Sequence, residues 1–275
     1  MTATPPAPGR PPEDVPAPAG RGDPPARSRA VRAVRAEVRK LATLRSTLGF
    51  AGLAAAYVLV NTVAVLALQG VEEPPVDLTT RDGVRTLLAT GAAAYLFATV
   101  VGIMSATGEY RHGTITPSLL AQPSRPLLLA AKGVAAALAG LLQGVVGAVV
   151  CLGVALPWLA LVDHAPVGAG DVARAALGTL AGVALFAVLG AALGALVRNQ
   201  VVALVAGLVW LVLGEGLLLA LVPEVGRWPP SGALAALTGS SPDVLPPVAG
   251  ALLLAGYALV LLAAAIAVER RRDVT

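Results

Sequence analysis

The sequence predicts an all-α membrane protein: six transmembrane helices, an amphipathic interfacial helix before them and a short helix on one cytoplasmic loop. Three observations predict it. Of 275 residues, 56% are hydrophobic and 13% charged, with a mean hydropathy of +0.78; soluble domains carry about a quarter charged residues. The apolar residues gather into six runs, each near or above the roughly 20 residues that cross a hydrocarbon core of about 30 Å. The polar stretches between the runs sort by charge. Sixteen of the 20 Lys and Arg fall on one side of the alternation, all except Arg81, Arg85, Arg174 and Arg227. The opposite side also carries Glu72, Glu73, Asp77, Asp82, Asp163, Asp171, Glu224 and Asp243. By the positive-inside rule both termini are then cytoplasmic.

Residues 1–27 are rich in Pro, Gly, Ala and charge, with nine prolines between Pro5 and Pro25. Such a composition cannot bury a core and predicts a disordered cytoplasmic tail. Residues 28–275 form one transmembrane domain. No secretory signal precedes the first apolar run, so the first span is expected to direct its own insertion. Cys151 is the one cysteine and cannot form an intrachain disulfide.

Residues 28–45 read SRAVRAVRAEVRKLATLR. Val31, Val34, Val38 and Leu41 are spaced to share one helical face, with Arg32, Arg35 and Arg39 beside them. That pattern suits a helix lying in the headgroup layer, its arginines anchored on anionic lipid. The basic charge alone does not make a nucleic-acid partner, because no recognition module accompanies it.

The spans are expected at about 48–68, 84–106, 128–156, 172–197, 201–222 and 248–268. The third is long, and Pro157 is expected to kink or end it. Glycines recur four residues apart at Gly140/Gly144, Gly178/Gly182 and Gly190/Gly194. Such pairs let helix backbones approach closely, within one bundle or between two copies. In the last outer loop, residues 232–238 (GALAALT) are flanked by breakers and predict a short helix dipping into the outer leaflet.

The polar residues inside the spans are Asn61, Gln143 and Glu215. An ionised carboxylate at mid-membrane costs about 2.5–3.5 kcal/mol on insertion scales. Glu215 therefore serves either as a pathway or coupling group, or as a structural acid bonded to a neighbouring helix near the interface. Catalytic and cofactor motifs are missing from the sequence. There is no phosphate-binding G-x-x-x-x-G-K-[ST], no H-E-x-x-H, no C-x-x-C and no G-x-S-x-G. No cofactor, metal or catalytic residue is expected, and the chain alone should not hydrolyse ATP.

Residues 108–132 read GEYRHGTITPSLLAQPSRPLLLAAK and join the second and third spans on the cytoplasmic side. Backbone and charge of this kind cannot remain unpaired in hydrocarbon. Thr116 can cap a short helix, Pro117 suits its first turn and Pro123 stops it. Here the sequence resembles the permease subunits of ABC-2-type exporters. The matching residues are Glu109, Tyr110, Arg111, His112, Gly113 and Thr114, then Pro117 to Leu120, then Pro123, Ser124 and Arg125, then Ala131 and Lys132. Upstream, Glu37-Val38-Arg39-Lys40-Leu41 resembles the basic stretch that leads such permeases into their first span.

The resemblance implies a coupling helix docked on a separate ATP-binding subunit, with two permeases, identical or paralogous, in the working unit. Glu109, Tyr110, Arg111, Gly113, Thr114, Leu119, Leu120 and Arg125 are the implied contacts. Lys132 reads either as part of that motif or as a membrane anchor of the third span, since a lysine one turn inside a span snorkels readily. The leading expectation is a plasma-membrane permease exporting a small or lipophilic substrate such as a drug, lipid or peptide. Two alternatives stay open: a non-transporting immunity or regulatory protein of the same fold, and an ion-coupled carrier using Glu215.

Overall fold

A computed structural model describes residues 26–43, 45–111, 124–240 and 245–271. The described residues are helical, with no strand among them, and six helical segments are long and apolar enough to cross a membrane. The chain is therefore a multi-pass membrane protein in architecture. The expected Pro-rich tail falls almost wholly outside the described residues. The segment that carries His112, Gly113, Thr114, Leu119 and Leu120 falls wholly outside them.

Helix α1 (Ala26–Thr43) precedes α2 (Arg45–Ala67), the first span. A loop then leads to α3 (Arg81–Ala89), whose N-terminus is capped by Thr80: its hydroxyl accepts the Gly83 N–H at 3.1 Å. The second span is not one continuous helix. A 3-10 stretch, Thr90–Ala94, separates α3 from α4 (Tyr95–Arg111). Small residues allow this break to lie against the third span: a methyl added at Gly147 would stand 2.3 Å from the Gly91 carbonyl oxygen. Thr90 Oγ1 at the break is 2.8 Å from Thr62 Oγ1 and 3.2 Å from Cys151 Sγ, a short polar chain linking three elements.

The third span, α5, runs Arg125–Leu159. Its 35 residues correspond to about 52 Å at 1.5 Å per residue, more than a hydrocarbon core needs. Pro157 lies inside this helix, two residues before its end. The fourth span, α6 (Ala169–Val197), ends at Arg198, which adopts a left-handed conformation with φ of 58°. Asn199 then caps the next helix by accepting the Val202 N–H at 3.1 Å. The fifth span is again composite: α7 (Gln200–Val209), a π-turn at Trp210–Gly214, and α8 (Glu215–Leu221). A short helix, α9 (Pro230–Thr238), occupies the position expected from GALAALT. The last span is α10 (Pro247–Arg271).

Helices α4, α5 and α6 form the centre. Within their most apolar windows 67% of residues are buried for the second span and 56% for the fourth, against 17% for the fifth and sixth. The fifth and sixth spans are therefore peripheral, with most of their surface facing outward. The central core is built from small residues, including Ala54, Ala94, Ala98, Ala136, Ala187 and Ala191. Helices can approach closely only where side chains are this short.

The three glycine pairs all serve contacts inside the chain. Gly140 and Gly144 face α6 at Ala184 and Leu180, and Gly190 and Gly194 face α4 at Thr99 and Ile103. Gly178 and Gly182 receive α9 at Leu237 and Leu234. A methyl added at Gly190 would lie 2.2 Å from the Thr99 carbonyl oxygen, so this contact admits no larger residue without separating the helices.

Candidate functional site

The clearest concentration of buried charge lies where α1, α4 and α5 meet. Glu37 comes from the middle of α1, Glu109 from the last turns of α4 and Lys132 from the second turn of α5. Lys132 Nζ is 2.9 Å from Glu37 Oε2 and 3.0 Å from Glu109 Oε1. Lys40, one turn after Glu37, is 2.7 Å from Glu37 Oε1 and 2.6 Å from Glu109 Oε1. The four groups form a closed ring in which each cation bridges both carboxylates. Glu37, Glu109 and Lys132 are buried, whereas the Lys40 side chain is about half exposed, at 47%.

Charges this deep must be compensated by well-placed partners, because removing them from water costs several kcal/mol per ion. Two negative and two positive groups cancel. Burial acts to depress the pKa of the Lys40 ammonium, but hydrogen bonds to Glu109 and Glu37 more than offset it and hold the group above its ordinary 10.5.

The ring bears on two expectations. Lys132 is read from the sequence either as part of the motif or as an anchor snorkelling to the headgroups; its ammonium is enclosed between two carboxylates. Glu109 is expected as a charged contact for an external partner; its side chain instead turns inward and binds Lys40 and Lys132. The face of α1 also differs. Val31, the first member of the expected apolar stripe, is 60% exposed, while Ala33, Glu37 and Leu41, spaced four apart, are buried. The helix packs on α5 with an acid at the centre of its buried face. Arg32, Arg35 and Arg39 remain exposed on the outer face.

Other expected residues have different surroundings. Arg111 is exposed, with Nη1 3.3 Å from Gln200 Oε1 at the start of the fifth span. Tyr110 and Arg125 lie on the backbone of α4 and α5, on either side of the undescribed segment. Asn61 is satisfied within its own helix, donating to the Tyr57 carbonyl at 2.9 Å. Gln143 is 1% exposed, and neither end of its amide has a hydrogen-bond partner among the described residues. Glu215 is 5% exposed, and its Oε2 accepts the Ser231 N–H at 3.0 Å, at the N-terminus of α9. A carboxylate there meets the positive end of the helix dipole, so the structural role weighed for Glu215 has a physical basis.

A second charged cluster occupies the opposite end of the bundle. Asp171, in the first turn of α6, accepts from Arg81 Nη2 at 3.0 Å and Arg85 Nε at 2.9 Å, and also from the Gly168 N–H at 3.2 Å. In the sequence these residues stand out only as loop charges.

Glu37 and Lys40 were present in the sequence as part of a basic stretch, without a role of their own. The available signal was chemical. Glu37 interrupts an arginine-rich helix, Glu109 ends one apolar run and Lys132 begins the next, so acid and base stand at adjoining apolar ends. The sequence matches no protein-family model, and no curated protein is significantly similar to it.

Proposed function

We propose that the chain is the permease subunit of an ABC transporter, exporting a small or lipophilic substrate across the plasma membrane with a separate ATP-binding subunit supplying the energy. The observation that carries this reading is the Glu37–Lys40–Glu109–Lys132 ring. It ties together the helix entering the polar segment 112–123, the helix leaving it, and the helix preceding the first span. A push on that segment would reach α4, α5 and α1 together. This is the mechanical arrangement that a coupling element needs, and the GEYRHGT resemblance gives the element its likeness.

In this reading both termini face the cytoplasm, as the distribution of Lys and Arg favours. Segment 112–123 docks on the ATPase through Thr114, Leu119 and Leu120, with Arg111 and Arg125 flanking. A second permease copy or paralogue completes the unit. The chain contributes no catalytic group. The Glu215 side chain caps α9, which gives it a role that does not require ion coupling.

Co-reconstitution in lipid vesicles tests the proposal. The chain alone should show no ATPase activity, and addition of its ATP-binding subunit should yield ATP-dependent transport. Arg111→Glu and Thr114→Val should lower transport per ATP hydrolysed several-fold while leaving the bundle's thermal stability unchanged. Transport that persists without ATP and fails in Glu215→Gln would favour the ion-coupled reading.

A further inference from the structure

A half-open cleft runs between the fifth span and the rest of the bundle. Helices α4, α6 and α10 form one wall, and α7, the π-turn and α8 form the other, with residues 225–230 across one end. Its volume is about 500 Å³ and its lining is almost wholly apolar. Ala206 and Leu218 both line it, and their separation along the span corresponds to about 18 Å at 1.5 Å per residue. One leaflet of a hydrocarbon core about 30 Å thick has much the same depth. The cleft also belongs to the outward-facing part of the chain. The fifth and sixth spans are largely unburied, and Trp210, Trp228 and Val260 in the lining are roughly half exposed or more.

Arg111, next to the charged ring, reaches Gln200 at the start of the fifth span, so Leu218 and residues 225–230 lie toward the opposite end of the bundle. That end carries a cation. Arg227 is exposed, and its guanidinium stands 6.0 Å from the ring of Trp228, which lines the cleft. It makes no ion pair among the described residues. The Tyr257 hydroxyl donates to the Trp228 carbonyl at 3.0 Å and ties this rim to the last span.

The dimensions select the occupant. A helix about 10–12 Å across would need about 1,400 Å³ or more over the same length, so neither a partner's helix nor a span of a second copy fits. A linear hydrocarbon chain is narrow, apolar and one leaflet long. We propose that the cleft holds one acyl chain of a bilayer phospholipid whose phosphate is bound by Arg227. Lipid tails elsewhere in the bilayer are as apolar as the cleft, so burial alone gives little preference. The selectivity comes from the rim, where the planar guanidinium matches phosphate geometry and the negative charge meets a cation without a carboxylate beside it. The site belongs to the chain by itself and does not depend on the permease reading.

Native mass spectrometry of the purified full chain in detergent tests the proposal. The probes are dioleoyl phosphatidylglycerol and, as a match without phosphate, dioleoylglycerol. The saturable adduct should favour the phospholipid about fivefold, the scale of one basic residue at an anionic headgroup. Arg227→Gln keeps a polar side chain and removes the charge; it should lower phospholipid retention about fivefold and leave dioleoylglycerol unchanged. Ala206→Phe and Val260→Trp, at exposed positions of the lining, fill the cleft and should lower retention of both lipids several-fold. Circular dichroism selects the filling variants that keep the parent's helix content. Equal retention of the two lipids by the parent overturns the proposal. So does undiminished phospholipid retention in Arg227→Gln or in a folded filling variant. The measurement involves no ATP-binding subunit and no transport step, so failure of ATP-driven transport would leave these adducts untouched and the two readings fail separately.

Discussion

The two ends of the bundle carry charge in different ways. At one end two carboxylates and two lysines from α1, α4 and α5 close into a ring, and three of the four side chains are less than 10% exposed. At the other, a single buried aspartate is shared by Arg81 and Arg85 of α3, whose side chains are 62% and 26% exposed. The ring joins three helices and balances its charge internally, so each member depends on the rest. The aspartate cluster joins two helices and can draw on water to solvate its arginines. The first arrangement resists independent movement of its helices; the second fastens a loop and caps a helix. Helices α4 and α5, which flank residues 112–123 in the chain, both contribute to the first.

Substitutions should expose this contrast. The largest effect is expected from Lys132→Met, which removes the buried cation that bridges Glu37 and Glu109. Loss of a buried pair's partner costs about 3–5 kcal/mol, read as a large fall in thermal unfolding temperature in detergent. A loss below about 1 kcal/mol would mean that the ring is hydrated and not buried. Next is the interaction of Glu37→Gln with Lys132→Met in a double-mutant cycle. Groups in one ion-pair network couple by about 0.5–3 kcal/mol, and additivity would show that the ring is not a unit.

At the opposite end, Asp171→Asn should be milder, about 1–2 kcal/mol, because the asparagine still accepts hydrogen bonds and the arginines remain partly solvated. If it destabilises more than Lys132→Met, the ranking of the two ends is wrong. The smallest effect is a pH response. The Lys40 pKa is raised above 10.5 in the folded chain. Its contribution is therefore complete below pH 10.5 and is lost as pH rises through the higher folded value. Unfolding temperature should show no Lys40-dependent change below pH 10 and a decline above it, and Lys40→Met should flatten that decline. A Lys40-dependent loss below pH 9 would contradict the shift.

Much of the architecture was legible because membrane physics constrains it so strongly. A helix that leaves no backbone group unpaired needs a long apolar run, and the six runs at about 48–68 to 248–268 correspond to six segments from Ser46–Gly70 to Pro247–Val268. The short helix at GALAALT was equally visible from its breakers. Breaks inside spans were not. Thr90–Ala94 and Trp210–Gly214 hold no charged residue or proline, so the sequence carries no sign of the 3-10 and π geometry there.

The candidate site divides in the same way. Polar groups at or within apolar runs can be found from the sequence, and Asn61, Gln143, Glu215, Glu109 and Lys132 all were. What each one meets cannot be found, since partners lie up to 95 residues apart, as Glu37 and Lys132 do. The sequence by itself determined that this chain carries six helices long and apolar enough to cross a membrane, because a backbone in hydrocarbon must pair its own polar groups. Only the tertiary structure decided which face of α1 is buried, that the glycine pairs close helices within the chain, and that Lys132 is a bridge between two acids. Those outcomes depend on the rotation of helices about their own axes, which periodicity constrains and packing alone selects.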